Sequence, residues 1–203
     1  MTVRERVLSH PAVYRTFKRI VLPDGVLQRL ADDHFVAPDG GCVLDLGCGY
    51  GDFAPFFADR CSYLGIDHNA SYIGVAERMN AGSPARFIVA DVADSVVREH
   101  GPFDLVMMSG VLHHLASDDV RNLASLIQPL LSPTGQFVAM EPVFDPDQGL
   151  TARLTIAADR GRFARDEEGY RNLLSGSFSI VDSEVVTGML RIPYTHVVLT
   201  ATH

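Results

Sequence analysis

The stretch Val43-Leu44-Asp45-Leu46-Gly47-Cys48-Gly49-Tyr50-Gly51 constrains this chain more than any other. A short apolar run enters a turn in which every second residue is glycine. Glycine reaches left-handed backbone angles and lets main chain approach a ligand closely. A second apolar run, Tyr63-Leu64-Gly65-Ile66, ends in Asp67. That acid lies about 20 residues past the turn, the spacing at which an open α/β sheet presents a carboxylate to ribose hydroxyls. The pair predicts a site for an adenosine compound at the carboxyl edge of parallel strands.

The rest of the chain fits such a sheet. Short, continuous apolar runs predict strands over 42–46, 63–66, 86–90, 103–108 and 136–140. That is the pattern of parallel strands buried on both faces. Amphipathic stretches separate them. The clearest predicts a helix over 117–131, with Ser117 as its cap, Asp118 and Asp119 at its positive end, and Leu123, Leu126, Ile127 and Leu130 on its buried face. Before the first strand, Val13, Phe17 and Ile20 share one helical face, and Val26, Leu27, Leu30 and Phe35 form a second stripe. After the fifth strand, 141–165 reads as a helical insertion over the site and 166–174 as another helix. Two strands follow, over 178–186 and 194–202, with a link so short that it permits antiparallel pairing and no parallel crossover.

With 203 residues, the chain is expected to be one domain. Its parts are a helical cap over 1–40, a binding core over 41–142, an insertion over 143–175 and a strand pair over 176–203. Hydrophobic residues at 47% provide enough burial to offset ordering entropy, so disorder is not expected. No apolar stretch is long enough to span a membrane, and Met1 to Arg6 does not read as a signal peptide. Cys42, Cys48 and Cys61 lack pairing or metal-ligand spacing and read as reduced thiols of a cytoplasmic protein. The net charge of −8 speaks against nucleic acid as a partner.

The turn itself narrows the ligand. A dinucleotide-binding turn carries a third glycine and holds a pyrophosphate at a helix N-terminus. Here that place is Asp52, whose carboxylate would repel a diphosphate. NAD and FAD are therefore disfavoured, and a cofactor without phosphate is admitted.

The run from Val43 to Gly51 resembles motif I of the class I S-adenosylmethionine-dependent methyltransferases. The resemblance continues in order through Leu64-Gly65-Ile66-Asp67, Phe87-Ile88-Val89-Ala90-Asp91-Val92, Phe103-Asp104-Leu105-Val106, Leu112-His113-His114-Leu115 and Leu131-Ser132-Pro133-Thr134-Gly135-Gln136-Phe137. It covers about half of the chain. It implies a doubly wound, Rossmann-like α/β fold: a seven-stranded, mostly parallel sheet with an antiparallel C-terminal strand and a helical N-terminal cap. It also implies S-adenosyl-L-methionine as cofactor. By that resemblance Gly47, Cys48 and Gly49 approach the methionine portion, and Asp45 orients the turn or reaches the ammonium through water. Asp67 takes the ribose hydroxyls, His68 lies beside adenine, Asp91 receives the adenine amino group and Val92 meets a ring nitrogen through its backbone. Ser109 lines the same edge.

The acceptor side is less defined by sequence. His113, His114 and Glu141 are candidates for a proton-accepting base, and adjacent histidines do not readily chelate one metal ion. Tyr14 either closes over the methionine end or packs at the core edge. Arg160 and Arg162 either bind an anionic acceptor or lie on a solvated surface beside Asp166, Glu167 and Glu168. Tyr194 and His196 either reach the pocket or simply begin a strand. After the fourth strand the chain lacks the Asn/Asp-Pro-Pro-Tyr motif of amino-methylating nucleic-acid enzymes and the Pro-Cys nucleophile of pyrimidine C5 methylation. The expected acceptor is a small molecule, of secondary metabolism among others, methylated on O, N or C by a monomer or homodimer. The alternatives are a non-methylating reaction, or a binding module, on the same cofactor.

Overall fold

The computed structural model describes residues 20–159 and 161–203. Seven strands form one sheet: β1 (Cys42–Leu46), β2 (Ser62–Asp67), β3 (Arg86–Val89), β4 (Phe103–Ser109), β5 (Leu131–Pro142), β6 (Ile180–Thr187) and β7 (Thr195–Thr202). Their spatial order is β3-β2-β1-β4-β5-β7-β6. β1 pairs in parallel with β2 on one side and β4 on the other. The strand order reverses there, and open α/β sheets bind ligands in that crevice. β7 runs antiparallel to both β5 and β6, as the short link between the last two strands demands.

Helices cover both faces because successive strand residues, which point to opposite faces, are both apolar in the central strands. Val43, Leu105, Met107 and Val138 belong to one core layer, with Val26 and Leu30 of α1 (Val26–Asp33), Phe57 of α2 (Ala54–Phe57) and Ile73 of α3 (Ala70–Met79). Leu44, Val106, Met108 and Phe137 belong to the other. They pack with Val97 of α4 (Ser95–Arg98), Ile127 of α5 (Ser117–Ile127) and Tyr170 and Leu174 of α7 (Glu167–Leu174). The insertion contributes α6 (Leu150–Ala157).

Several boundaries differ from the sequence reading. β5 begins at Leu131, five residues earlier than expected, because Leu131 pairs with Phe103 and the register then slips before Leu105 meets Gln136. The helix over 117–131 ends at Ile127 and tightens into a 3-10 turn over Gln128–Leu130, where Pro129 removes a donor. Ser117 is the first helical residue and not the cap; that place falls to Ala116, without a side-chain bond. The buried line is Val120, Ala124 and Ile127, with Leu123 and Leu126 half-buried. Asp166, by contrast, caps α7 by accepting the Gly169 N–H at 2.9 Å. The helix expected around Val13 and Phe17, and Tyr14 itself, lie outside the described residues.

Phe137 is fully buried and stacks on Phe178, ring centroids 5.9 Å apart. Phe137→Ala is expected to reduce unfolding free energy by about 3–5 kcal/mol, measured by denaturant titration.

Candidate functional site

The described cofactor-side residues inferred from sequence fall at or just after the carboxyl ends of β1 to β4, whereas Glu141 lies on β5 and Tyr194 and His196 at the start of β7. Gly47 and Gly49 leave β1 with φ of +73° and +55°. The Gly47 and Cys48 N–H groups both donate to the Ile66 carbonyl, which folds the turn back over β2. The Gly49 N–H donates to Asp67 Oδ2 at 3.2 Å, and the Asn69 N–H donates to Asp67 Oδ1 at 2.8 Å. Asp67 thus joins the glycine turn to the start of α3. Each of its oxygens keeps a second lone pair for a ligand. No atom lies within 4 Å of where a Gly49 Cβ would sit, so bare main chain faces open space.

Around this centre the other residues differ in what they present. The His68 side chain is 93% exposed, 3.6 Å from Asp67. Asp91 is exposed at the end of β3, where its Oδ1 accepts the Ala93 N–H, and Val92 is buried beside it. Ser109 is half-buried at the end of β4. Cys48 is buried, and its Sγ lies 3.0 Å from where a Gly65 Cβ would sit, so only its backbone serves the turn.

Asp45 turns toward β2 rather than the glycine turn in the hydrogen bond it makes among the described residues. Its carboxylate is buried and accepts the Tyr63 hydroxyl at 2.5 Å. Burial pushes its pKa up to about 7, opposed by the Tyr63 hydrogen bond and reinforced by the Asp52 and Asp67 charges. Tyr63 was not singled out from sequence. It sits opposite Val43 in the parallel register, and nothing local links it to Asp45.

The second half of the site surrounds Glu141, the penultimate residue of β5, which has no exposed surface. Glu141 Oε1 accepts the N–H groups of Val111 at 2.9 Å and Leu112 at 2.8 Å. Oε2 accepts the His113 N–H at 3.1 Å and bonds His113 Nδ1 at 2.6 Å. The carboxylate therefore holds both the 3-10 turn over Leu112–His114 and the His113 ring. With the ring donating from Nδ1, a neutral imidazole carries its lone pair on Nε2. His113 is buried and His114 is exposed, yet their rings touch, with centroids 4.1 Å apart. The sequence alone offered Glu141 as a rival base; the geometry makes it the holder of His113.

The insertion packs onto the same turn. The His113 carbonyl accepts the Phe163 N–H, and a Cβ at Gly161 would fall 1.8 Å from His113 Cδ2. Arg165 donates to the carbonyls of Leu112, Leu115 and Phe163, so its charge is directed at the loop rather than at an acceptor. Arg162 is exposed, and Arg160 lies outside the described residues. The Tyr194 hydroxyl donates to Asp159, and the Tyr194 and His196 rings lie 4.8 Å apart.

Residues 43–135 match a family model described as a methyltransferase domain. Over 95 residues, 46% of this chain, the sequence is 35% identical to an uncharacterized methyltransferase of Mycobacterium tuberculosis. The matched stretch is 47% of that relative, so the chain spans about half the length of such curated relatives. Among solved structures, a TehB-like SAM-dependent methyltransferase from Corynebacterium glutamicum is similar with a TM-score of 0.67 at 20% identity, over 98% of this chain and 100% of that one. Magnesium protoporphyrin IX methyltransferase from Synechocystis, with bound SAH, gives a TM-score of 0.63 at 19% identity, over 100% and 88%.

Asp45 binds a proton more tightly folded than unfolded, so its contribution to stability is full below pH ~4 and falls as pH rises toward about 7. The loss, roughly 4 kcal/mol at most, is complete above that pH. Asp45→Asn removes the term. Its stability relative to the parent chain should increase between pH 4 and 7 and then level off, as read from denaturant midpoints across pH.

Proposed function

We propose that this chain, whose residues 43–135 match a methyltransferase-domain model, works as a class I S-adenosylmethionine-dependent methyltransferase on a small-molecule acceptor. The observation that carries this reading is the bare Gly49 backbone tied to the Asp67 carboxylate, at the point where the strand order reverses. The donor set fits the cofactor. Asp67 has lone pairs for two ribose hydroxyls, and the glycine turn admits a methionine chain without Cβ clashes. The family resemblance assigns His68, Asp91 and Val92 to adenine and Cys48 and Ser109 to backbone and edge, and all five follow the carboxyl ends of β1 to β4 or end them. When bound, S-adenosylmethionine supplies a methyl carbon on a cationic sulfur, already activated toward nucleophiles.

The chain's own task is alignment, exclusion of water and management of one proton. His113 is the base in this reading, accepting the acceptor's proton at Nε2 while Glu141 holds Nδ1. His114, exposed beside it, is a wall and not a second base. The porphyrin substrate named for the Synechocystis neighbour supports a small-molecule acceptor, as does the absence of a net positive charge. Among the described residues no helix is long and apolar enough to cross a membrane.

Calorimetry with S-adenosylhomocysteine tests the reading. Binding is expected, and Asp67→Ala should weaken it by at least tenfold through lost hydrogen bonds to a charged group, with the fold intact by circular dichroism. No binding to the unmodified chain refutes the proposal. Glu141→Gln removes the charge that favours a protonated His113 ring and replaces one oxygen that accepts two donors with an amide N–H. Its kcat should fall about 10²–10⁴-fold with homocysteine-product affinity near that of the parent. Turnover within threefold of the parent would remove His113 from the base role.

A further inference from the structure

His196 is the second residue of β7, opposite Pro142 of β5 and Val186 of β6. That register puts it at the same sheet edge as Glu141 and His113. The residue is 8% exposed. Among the described residues its Nδ1 is the buried side-chain nitrogen or oxygen left without a hydrogen-bond partner. Such atoms are rare in folded proteins, because burial strips water from a group that then bonds nothing.

Among the described residues, His113, Asp159 and Tyr194 act on His196. Burial first, and then the neighbouring His113, push its pKa down to about 4, with Asp159 pulling the other way. The imidazole is therefore neutral near pH 7, with one N–H and one lone pair. A hydroxyl both donates and accepts, so it satisfies Nδ1 in either tautomer. A carboxylate or phosphate only accepts, and it would meet the Asp159 charge. The described histidines of this edge form no metal-holding cluster. Two ring pairs, His113 with His114 and Tyr194 with His196, favour a flat ligand.

We propose that His196 Nδ1 is a second anchor for the acceptor, taking a free hydroxyl next to the one offered to His113, so that planar acceptors with adjacent hydroxyls are preferred over those with one. This rests on the methyl-transfer reading and deepens it by naming the acceptor class. A buried polar atom that expects a hydroxyl discriminates strongly against an analogue lacking it, because the atom is then left unpaired. Asp159 is bonded to Tyr194, and Gly161 packs against the His113 ring.

The test uses the full chain saturated with S-adenosylhomocysteine, with catechol and phenol as probes. Catechol should bind at least tenfold more tightly than phenol by calorimetry and shift the ¹⁵N resonance of His196 Nδ1. His196→Phe keeps a ring against Tyr194 and should erase the preference. His196→Asn returns an amide near the Nδ1 position and should restore most of it. Product affinity should be unchanged in both. Equal affinities for the two probes, no catechol binding, or catechol binding without a shift at Nδ1 overturns the assignment of His196 while methyl transfer stands. Failure to bind S-adenosylhomocysteine at the outset defeats the methyl-transfer reading instead. Should His196→Phe not fold, the Nδ1 shift in the parent chain decides.

Discussion

Glu141 accepts from three consecutive backbone N–H groups and one imidazole nitrogen, all at 3.1 Å or less. A carboxylate taken wholly out of water is very unfavourable unless its lone pairs are filled. Here four donors meet about four acceptor sites, so burial and organisation coincide. The turn after β4 has its donors satisfied by β5, and β5 is held in turn by β4 and β7. Without that carboxylate three peptide groups would lose their partners together. The position of His113 follows from this arrangement more than from any preference of the histidine itself.

The nucleoside side uses a second carboxylate in a complementary way. Asp67 takes only two backbone donors and so retains capacity for a ligand. Asp45 is turned inward to Tyr63 and is kept ready to hold a proton near neutrality. Three strand-end acids thus do three different jobs. Glu141 is saturated and structural, Asp67 is half-filled and receptive, and Asp45 is buried and proton-binding. The difference lies in how many donors each meets, which depends on the neighbouring strand and not on the acid.

The cofactor half of the site was legible because its determinants are local. Gly47, Gly49 and Asp67 announce themselves by spacing along the chain, and strands buried on both faces read as continuous apolar runs. The helix over 117–131 was placed correctly but capped wrongly, since Ser117 looks like a cap until the backbone puts Ala116 there. The early start of β5 was missed because Ser132, Pro133, Thr134 and Gly135 carry no strand signal, and pairing of Leu131 with Phe103 overrides it. Tyr63 and Gly161 gave no functional signal, because their partners, Asp45 and His113, are distant in sequence.

What the amino-acid order alone determined was the layered α/β sheet, the glycine turn and the acid after β2, since backbone angles, periodicity and spacing act over a few residues. Tertiary structure decided which polar groups keep an open valence. Glu141 became a holder, His113 a ring held through Nδ1, and His196 a buried ring with an unpartnered Nδ1. Those outcomes depend on β5 and β7 bringing together residues dozens of positions apart. Hydrogen-bond satisfaction is a count over space, and no one-dimensional pattern records it.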